Sequence, residues 1–545
     1  MSSSADSADT RFDVCTRPWI PVHTDAGGTT VGLRELLVRA HEFTALAVTL
    51  PPAASGLMRM LYAFAARIAG LDTCDDLKSW NKKRYALLSQ PAGFPAEAVD
   101  GYLDSHRSRL FLFGEQRPFL QDPRLAEQSP SRSGVNKLVM ARPSGNNLVF
   151  LGHFTDDDPV PLPPDEALLH LIAQLYYGPS GQCTPRTVDG ERYGNTRGGP
   201  LRRALSFHPQ GRSLYETLLL GIPKPTHWPR TDGARTDGCP WEREQLPDPL
   251  APPEPAPGPL SMLTEQYQHA ILLTPDEQGT AVTDATITWA LRTERPDTVK
   301  EPYLIWDEVK DGTVRPRDAA VERALWRDLD ALILLHRTDP PGRRPPVIDG
   351  LTGLPAEIRR ALHITAYGFD QDGQTRDRAY FTATTPRVFH TLLSPPPKGD
   401  AETPDDVTAL ANEVKDARVA AEKAAVRLRY ALRVAWRAYT SPFTTDKPAK
   451  QNDGTGGGRT AAKGEGPWPA EALARYWPAA EEYFWRALYA GGFAHPQREF
   501  GRLALGAYDE VTRAVTATPR GAKAREEARG LVRSLLKPPT GTLHA

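Results

Sequence analysis

Apolar residues recur at three- and four-residue steps in GLMRMLYAFAARIAG, placing Leu57, Met58, Leu61, Phe64, Ala65 and Ile68 on one side of a helix. PPDEALLHLIAQLYYG predicts a second helix, opened by Pro164 and Asp165 and stopped by Gly178. Residues 405–439 hold no proline or glycine and are rich in Ala, Leu, Arg, Lys and Glu. They predict a helix of roughly 35 residues, about 50 Å long. Its apolar positions (Val407, Leu410, Val414, Val426, Leu432 and Trp436) need partners. The helical patterns AEALARYWPAAEEYFWRALYAG, EFGRLALGAYDEVTRAVTA and AKAREEARGLVRSLL supply them, which makes a four-helix bundle.

Before the bundle, strand and helix patterns mix. Phe12–Cys15 reads as a short strand, and Trp19–Val22 as an extended edge, because Pro21 cannot donate to a central ladder. Asp25–Gly28 reads as a hairpin turn, and Val31 to His41 as a helix. Further on, ATITWAL and PYLIWDEV are strand-like, and AAVERALWRDLDALILLH is helical. HITAYGF and RAYFTA are two strands turning at Asp372-Gly373. Together these patterns predict an α+β fold: a large mixed domain over 11–397 and a C-terminal four-helix bundle over 398–545. Residues 1–10 are predicted disordered. Residues 228–260, with eight prolines from Pro240 to Pro259, predict an extended, partly mobile loop. A polar, glycine-rich stretch over about 443–466 predicts disorder within the bundle.

Composition narrows the class. The net charge of the 545 residues is -1, so no global basic field attracts nucleic acid. Residues 401–545 nevertheless carry +5 against -6 for the rest. Cys15, Cys74, Cys183 and Cys239 lie far apart with no CxxC pair, which argues against a disulfide framework and a structural zinc site. The opening MSSSADSADT is neither a signal nor a transit peptide, and no apolar run approaches the ~20 residues of a membrane span. A soluble, cytoplasmic protein is expected.

Chemistry is sparse. GxSxG, Walker and GxGxxG motifs are absent, and His41 lacks the second histidine of a zincin helix. Asp156, Asp157 and Asp158 could serve a stand-alone metal-dependent nuclease, although such a run before a proline more often enters a helix in solvent. A scaffold without nucleic-acid contact is a third reading. The stretch GVNKLVMARPSGNNLVFLGHF, residues 134–154, offers no nucleophile and only His153 as a base. Proline and glycine exclude a long helix there, so the pattern suggests binding rather than reaction.

Five motifs then occur in a telling order: RPWIPV, RPFLQDP, the NKLV…SGNN…F loop, LYYGPSG and NTRGGP. With the helical bundle, the set resembles the CasA family over nearly the whole chain. CasA is the large subunit of the type I-E CRISPR surveillance complex Cascade. The resemblance implies a protein with no catalytic residue, no cofactor and no metal. It would recognise a short motif flanking the target in double-stranded DNA, help open the duplex for R-loop formation and recruit a helicase-nuclease. Base pairing with the guide RNA would read the target itself. The implied partners are the RNA-bound Cascade subunits (handle-binding, backbone and small-subunit dimer), target DNA and the helicase-nuclease, with no membrane.

The resemblance also assigns residues. The family's anchoring loop, which docks near the RNA handle, falls on Asn146, Asn147, Phe150, Gly152 and His153. Phe150 is the inserted aromatic, and Gly152 departs from the family's polar residue. The glycine loop that enters the minor groove falls on Gly178, Pro179, Ser180 and Gly181, where a backbone without side chains can approach base edges. Arg197 or Arg202 would contact phosphate. The wedge that parts the first base pairs falls on Gln371, Asp372, Gly373 and Gln374. The family's basic finger has no lysine here; Arg292 is the nearest substitute, with Arg295 and Lys300 behind it. Only Cys239 falls where some relatives cluster cysteines, so no zinc is implied.

Overall fold

The computed structural model describes residues 10–537 apart from 75, 91, 115, 145–152, 229–235, 294–300, 310, 335, 339–340, 373–375, 387–388, 394–405 and 442–464. The chain forms two compact units, one of residues 1–322 with 344–390, the other of residues 323–343 with 391–545. Among the described residues no helix is long and apolar enough to cross a membrane.

The first unit is built around the helix Pro51–Ala69. The sequence pattern implies one apolar stripe, yet every residue from Pro51 to Ala66 is buried. The helices Pro164–Tyr177, Leu214–Gly221 and Pro259–Thr264 and the strand His363–Asp372 all pack on it, so no face is left for water. Arg59, inside this shell, pairs with Glu301. Small antiparallel sheets surround the helix. The strand Ile20–Thr24 lies between Gly27–Val31 and Ala45–Leu46, so the expected edge strand is a central one. Pro21 is tolerated because its missing N–H faces the two-residue neighbour, where its carbonyl accepts from the Ala47 N–H at 2.8 Å. The following helix is shorter than expected, Leu33–Val38.

The strand His363–Asp372 pairs with Arg376–Thr384 and with Ser206–Gln210, so the expected hairpin is present; its turn, 373–375, lies outside the described residues. Of the proline-rich segment, residues 236–258 form neither helix nor strand. They are held to the body by arginines: Arg67 donates to the Asp237 carbonyl, Arg117 to those of Pro240 and Glu244, and Arg124 to that of Pro247. This is tighter tethering than its composition suggests.

The second unit contains the helix Asp406–Thr440, 35 residues as the pattern requires. Trp468–Tyr489, Pro496–Val511 and Pro519–Arg533 pack along it, which makes the four-helix bundle. Its seam is mainly alanine: Ala417, Ala421, Ala424, Ala431 and Ala435 are buried with Leu428 and Leu432. Small residues let the helices approach closely, and Val426 falls off the seam at 58% exposure. The stretch expected as one long helix, AAVERALWRDLDALILLH, is broken. It becomes a 3₁₀ turn Leu325–Asp328, a short helix Leu329–Ile333 and a strand from His336. Tertiary contacts override its periodicity. Trp326 packs its ring 4.6 Å from Phe484, and buried Asp330 pairs with Arg418 at 3.0 Å. Arg323 and Arg327 both bind Glu422.

Candidate nucleic-acid interface

The helix Pro164–Tyr177 ends at Gly178, whose N–H still donates to the Gln174 carbonyl at 2.8 Å. Three residues later Gly181 begins the strand Gly181–Val188, which pairs with Glu191–Thr196 so that Gly181 faces Thr196. That register lays the Gly178–Gly181 loop beside residues 195–202. The Gly199 N–H donates to the Gly178 carbonyl at 2.9 Å, and the Leu201 N–H to that of Tyr176 at 2.9 Å.

The arginines gather on the same surface. Arg202 donates to the Tyr177 carbonyl at 2.9 Å and lies 5.3 Å over the ring of Phe369. Phe369 also sits 5.6 Å from Tyr177. It stands on the strand His363–Asp372, two residues before Gln371 and so about 7 Å along the strand from it. Arg197 donates to the Arg292 carbonyl at 2.9 Å. Arg292 stacks 3.8 Å over Tyr193 and 5.3 Å from Trp289, with a long contact of 3.4 Å to the Asn195 carbonyl. No carboxylate among the described residues pairs with it. One surface therefore carries the glycine loop, Arg197, Arg202 and Arg292, and the base of the hairpin rests against it. Gly373 and Gln374 at the tip, and Arg295 and Lys300 beyond Arg292, lie outside the described residues.

The anchoring loop is described only at its base, since Asn146, Asn147, Phe150 and Gly152 fall outside the described residues. The helix before it is the four residues Val135–Leu138. Asn136 closes the base by donating to the Thr155 carbonyl at 2.8 Å, and Gln174 holds the carbonyls of Lys137 and Leu138 at 2.9 Å each. Arg142 stacks 4.4 Å over Phe154, and His153 is exposed. The neighbouring Asp156, Asp157 and Asp158 are exposed too, and Asp156 accepts from Asn136 at 3.3 Å. Among the described residues, no group of three or more His, Cys, Asp or Glu is placed to hold a metal ion.

Tyr193 under Arg292, Phe369 under Arg202, and His269, whose Nε2 lies 3.0 Å from the Pro179 carbonyl oxygen, were not candidates by sequence. The Asp189-Gly190 turn between two strand-like runs could have placed Tyr193 opposite Arg186 on a hairpin. Nothing in the sequence pairs Phe369 with Arg202 or His269 with Pro179.

This is an α+β chain ending in a helical bundle, with Arg197, Arg202, Arg292 and the Gly178–Gly181 loop on one surface. The model of the CRISPR-associated protein Cse1 family matches residues 13–517, and the chain belongs to that family. The CRISPR-associated protein CasA/Cse1 of Thermus thermophilus is 32% identical over 213 residues, and the match spans 39% of this chain and 39% of that curated relative. A chain in a solved CRISPR RNA-guided surveillance complex is 39% identical with a TM-score of 0.81, covering 96% of this chain and 99% of that one. A second such complex, in a pre-nicking state, gives 40% identity and a TM-score of 0.75 over 97% and 99% of the two chains.

Proposed function

We propose that the chain is the non-catalytic large subunit of an RNA-guided CRISPR surveillance complex. In this reading the Gly178–Gly181 loop meets the minor groove beside the target with Ser180 and Gly181 and reads the flanking motif. Arg197, Arg202 and Arg292 hold phosphates, and the hairpin tip at Gln371–Gln374 parts the first base pairs. Asn146–His153 anchors the subunit near the RNA handle, and the assembled subunit recruits a helicase-nuclease. The observation that carries the reading is the convergence of the loop, the arginines and the hairpin base on one surface. Backbone and guanidinium groups suit a groove and its phosphates, and they provide no nucleophile or general base for hydrolysis.

The test is binding without turnover. Assembled with its RNA-bound partners, the chain should give salt-sensitive affinity for duplexes bearing the flanking motif and leave them uncut until a nuclease is added. Cleavage of DNA by the purified chain with magnesium or manganese, abolished by replacing Asp156, Asp157 and Asp158, would overturn it in favour of an enzyme.

A further inference from the structure

The two glycines of the loop have different surroundings. A Cβ on Gly178 would lie 2.5 Å from the Gln174 carbonyl oxygen and 2.7 to 2.8 Å from the ring of His269. A Cβ on Gly181 would meet nothing within 4 Å among the described residues, although its φ of +112° disfavours any side chain. Gly178 is thus glycine because the protein packs against it. The open backbone begins at Gly181, with half-buried Ser180 before it.

His269 is the group that fills the inside of the turn. It is 2% exposed and opens the strand His269–Pro275. Its Nε2 lies 3.0 Å from the Pro179 carbonyl oxygen. A carbonyl only accepts, so Nε2 carries the proton and Nδ1 is the bare acceptor. Among the described residues that Nδ1 is buried without a hydrogen-bond partner. An unmet buried acceptor costs stability, and a leucine would fill the same space without that cost. What a histidine adds at this position is the single N–H held against Pro179. Burial lowers its pKa to about 4, so the ring is neutral near pH 7 and donates from one nitrogen only.

We propose that His269 is the positioning residue of the glycine loop: through the Pro179 carbonyl it fixes the backbone from which Ser180 and Gly181 read the flanking motif. The inference rests on the reading of Gly178–Gly181 as a DNA-contacting loop. Pro179 has no N–H of its own, and the Gly178 carbonyl is already taken by Gly199. The bond from His269 therefore fixes the peptide linking Pro179 to Ser180. His269 also borders a cavity of about 890 Å³, which leaves room for replacements of similar size.

The experiment uses the full chain assembled with its RNA-bound partners and a panel of duplexes differing only in the flanking motif. His269→Gln can place an amide nitrogen where Nε2 stands. His269→Asn has the same chemistry but reaches only as far as Nδ1, and His269→Leu fills the space without a donor. Gly181→Val tests the loop itself. Discrimination between motifs should fall about tenfold in the Leu and Asn variants, the worth of one well-placed hydrogen bond, and return to within about twofold of the parent in Gln. Melting of the chain should not follow that order: the Leu variant buries no unmet polar group and should melt above the Asn variant, although both lose discrimination alike. Full discrimination by a folded Leu or Asn variant, with Gly181→Val impaired, would overturn the role of His269 alone. So would equal losses in folded Gln and Asn variants. Unchanged discrimination in Gly181→Val would remove the loop reading and this inference with it.

Discussion

Replacing Arg292 by alanine separates an electrostatic contact from a structural one. The guanidinium sits 3.8 Å over Tyr193 with one marginal contact of 3.4 Å to a carbonyl. A half-exposed cation–π pair is worth about 0.5–1 kcal/mol and so long a hydrogen bond less than about 1 kcal/mol. Arg292→Ala should therefore cost the fold no more than about 2 kcal/mol, and the chain should still assemble. If Arg292 holds a phosphate, its loss removes about 0.9 from the slope of log K against log salt. Over the fourfold range from about 50 to 200 mM salt, that slope is worth about 3.5-fold in affinity. The assay is titration of a labelled target duplex with the assembled complex at four salt concentrations. Arg292→Lys keeps the charge but not the planar stacking, so its slope should match the parent even if its affinity drops. An unchanged slope in Arg292→Ala would refute the contact and move the role to another basic residue.

Three other outcomes are expected. Trp326 is 1% exposed and packs against Phe484 and Phe500, so Trp326→Ala should cost about 3–5 kcal/mol in the second unit; a melting profile of the full chain that does not move would contradict that packing. Burial holds His170, His227 and His269 near pKa 4, below the unfolded value of about 6.5, so the unfolded chain takes up protons first and stability falls as pH drops from about 6.5 towards 4. Each histidine contributes on the order of 3 kcal/mol, Asp72, raised to about 6 by burial, offsets about one of them, and a urea midpoint at pH 5 equal to or above that at pH 7 would refute the sign. Replacing Gln371 and Gln374 by alanine should slow R-loop formation on a paired duplex but not on one pre-mismatched beside the motif, because the unstacking cost is then already met; equal slowing on both would make the hairpin structural.

The elements legible in the sequence are those fixed by local rules. The helix Asp406–Thr440 shows itself because 35 residues pass without a proline or glycine. The hairpin of His363–Asp372 and Arg376–Thr384 shows itself through Asp-Gly between two strand-like runs. The failures lie where distant residues overrule local ones. Leu325 to Ile333 has helical spacing, but Trp326 is claimed by an aromatic cluster more than 150 residues away. Pro21 looks like an edge residue until the strand facing its nitrogen proves to be only two residues long.

The site follows the same division, one level down. The glycine loop, the arginines and the hairpin are each visible as motifs, because a motif is a run of neighbours. Their assembly is not visible, because it depends on pairs such as Arg202 with Phe369 and His269 with Pro179, 167 and 90 residues apart. Nor could net charge reveal the arginine surface, since a total of -1 is indifferent to where the 66 basic side chains stand. Three of them, Arg202, Arg292 and Arg197, are held by backbone: the carbonyls of Tyr177, Asn195 and Arg292 each take a guanidinium N–H. A carbonyl fixes a guanidinium in place without neutralising it, as a carboxylate would. Arg292, which pairs with no carboxylate among the described residues, is oriented by the fold in this way and keeps its charge.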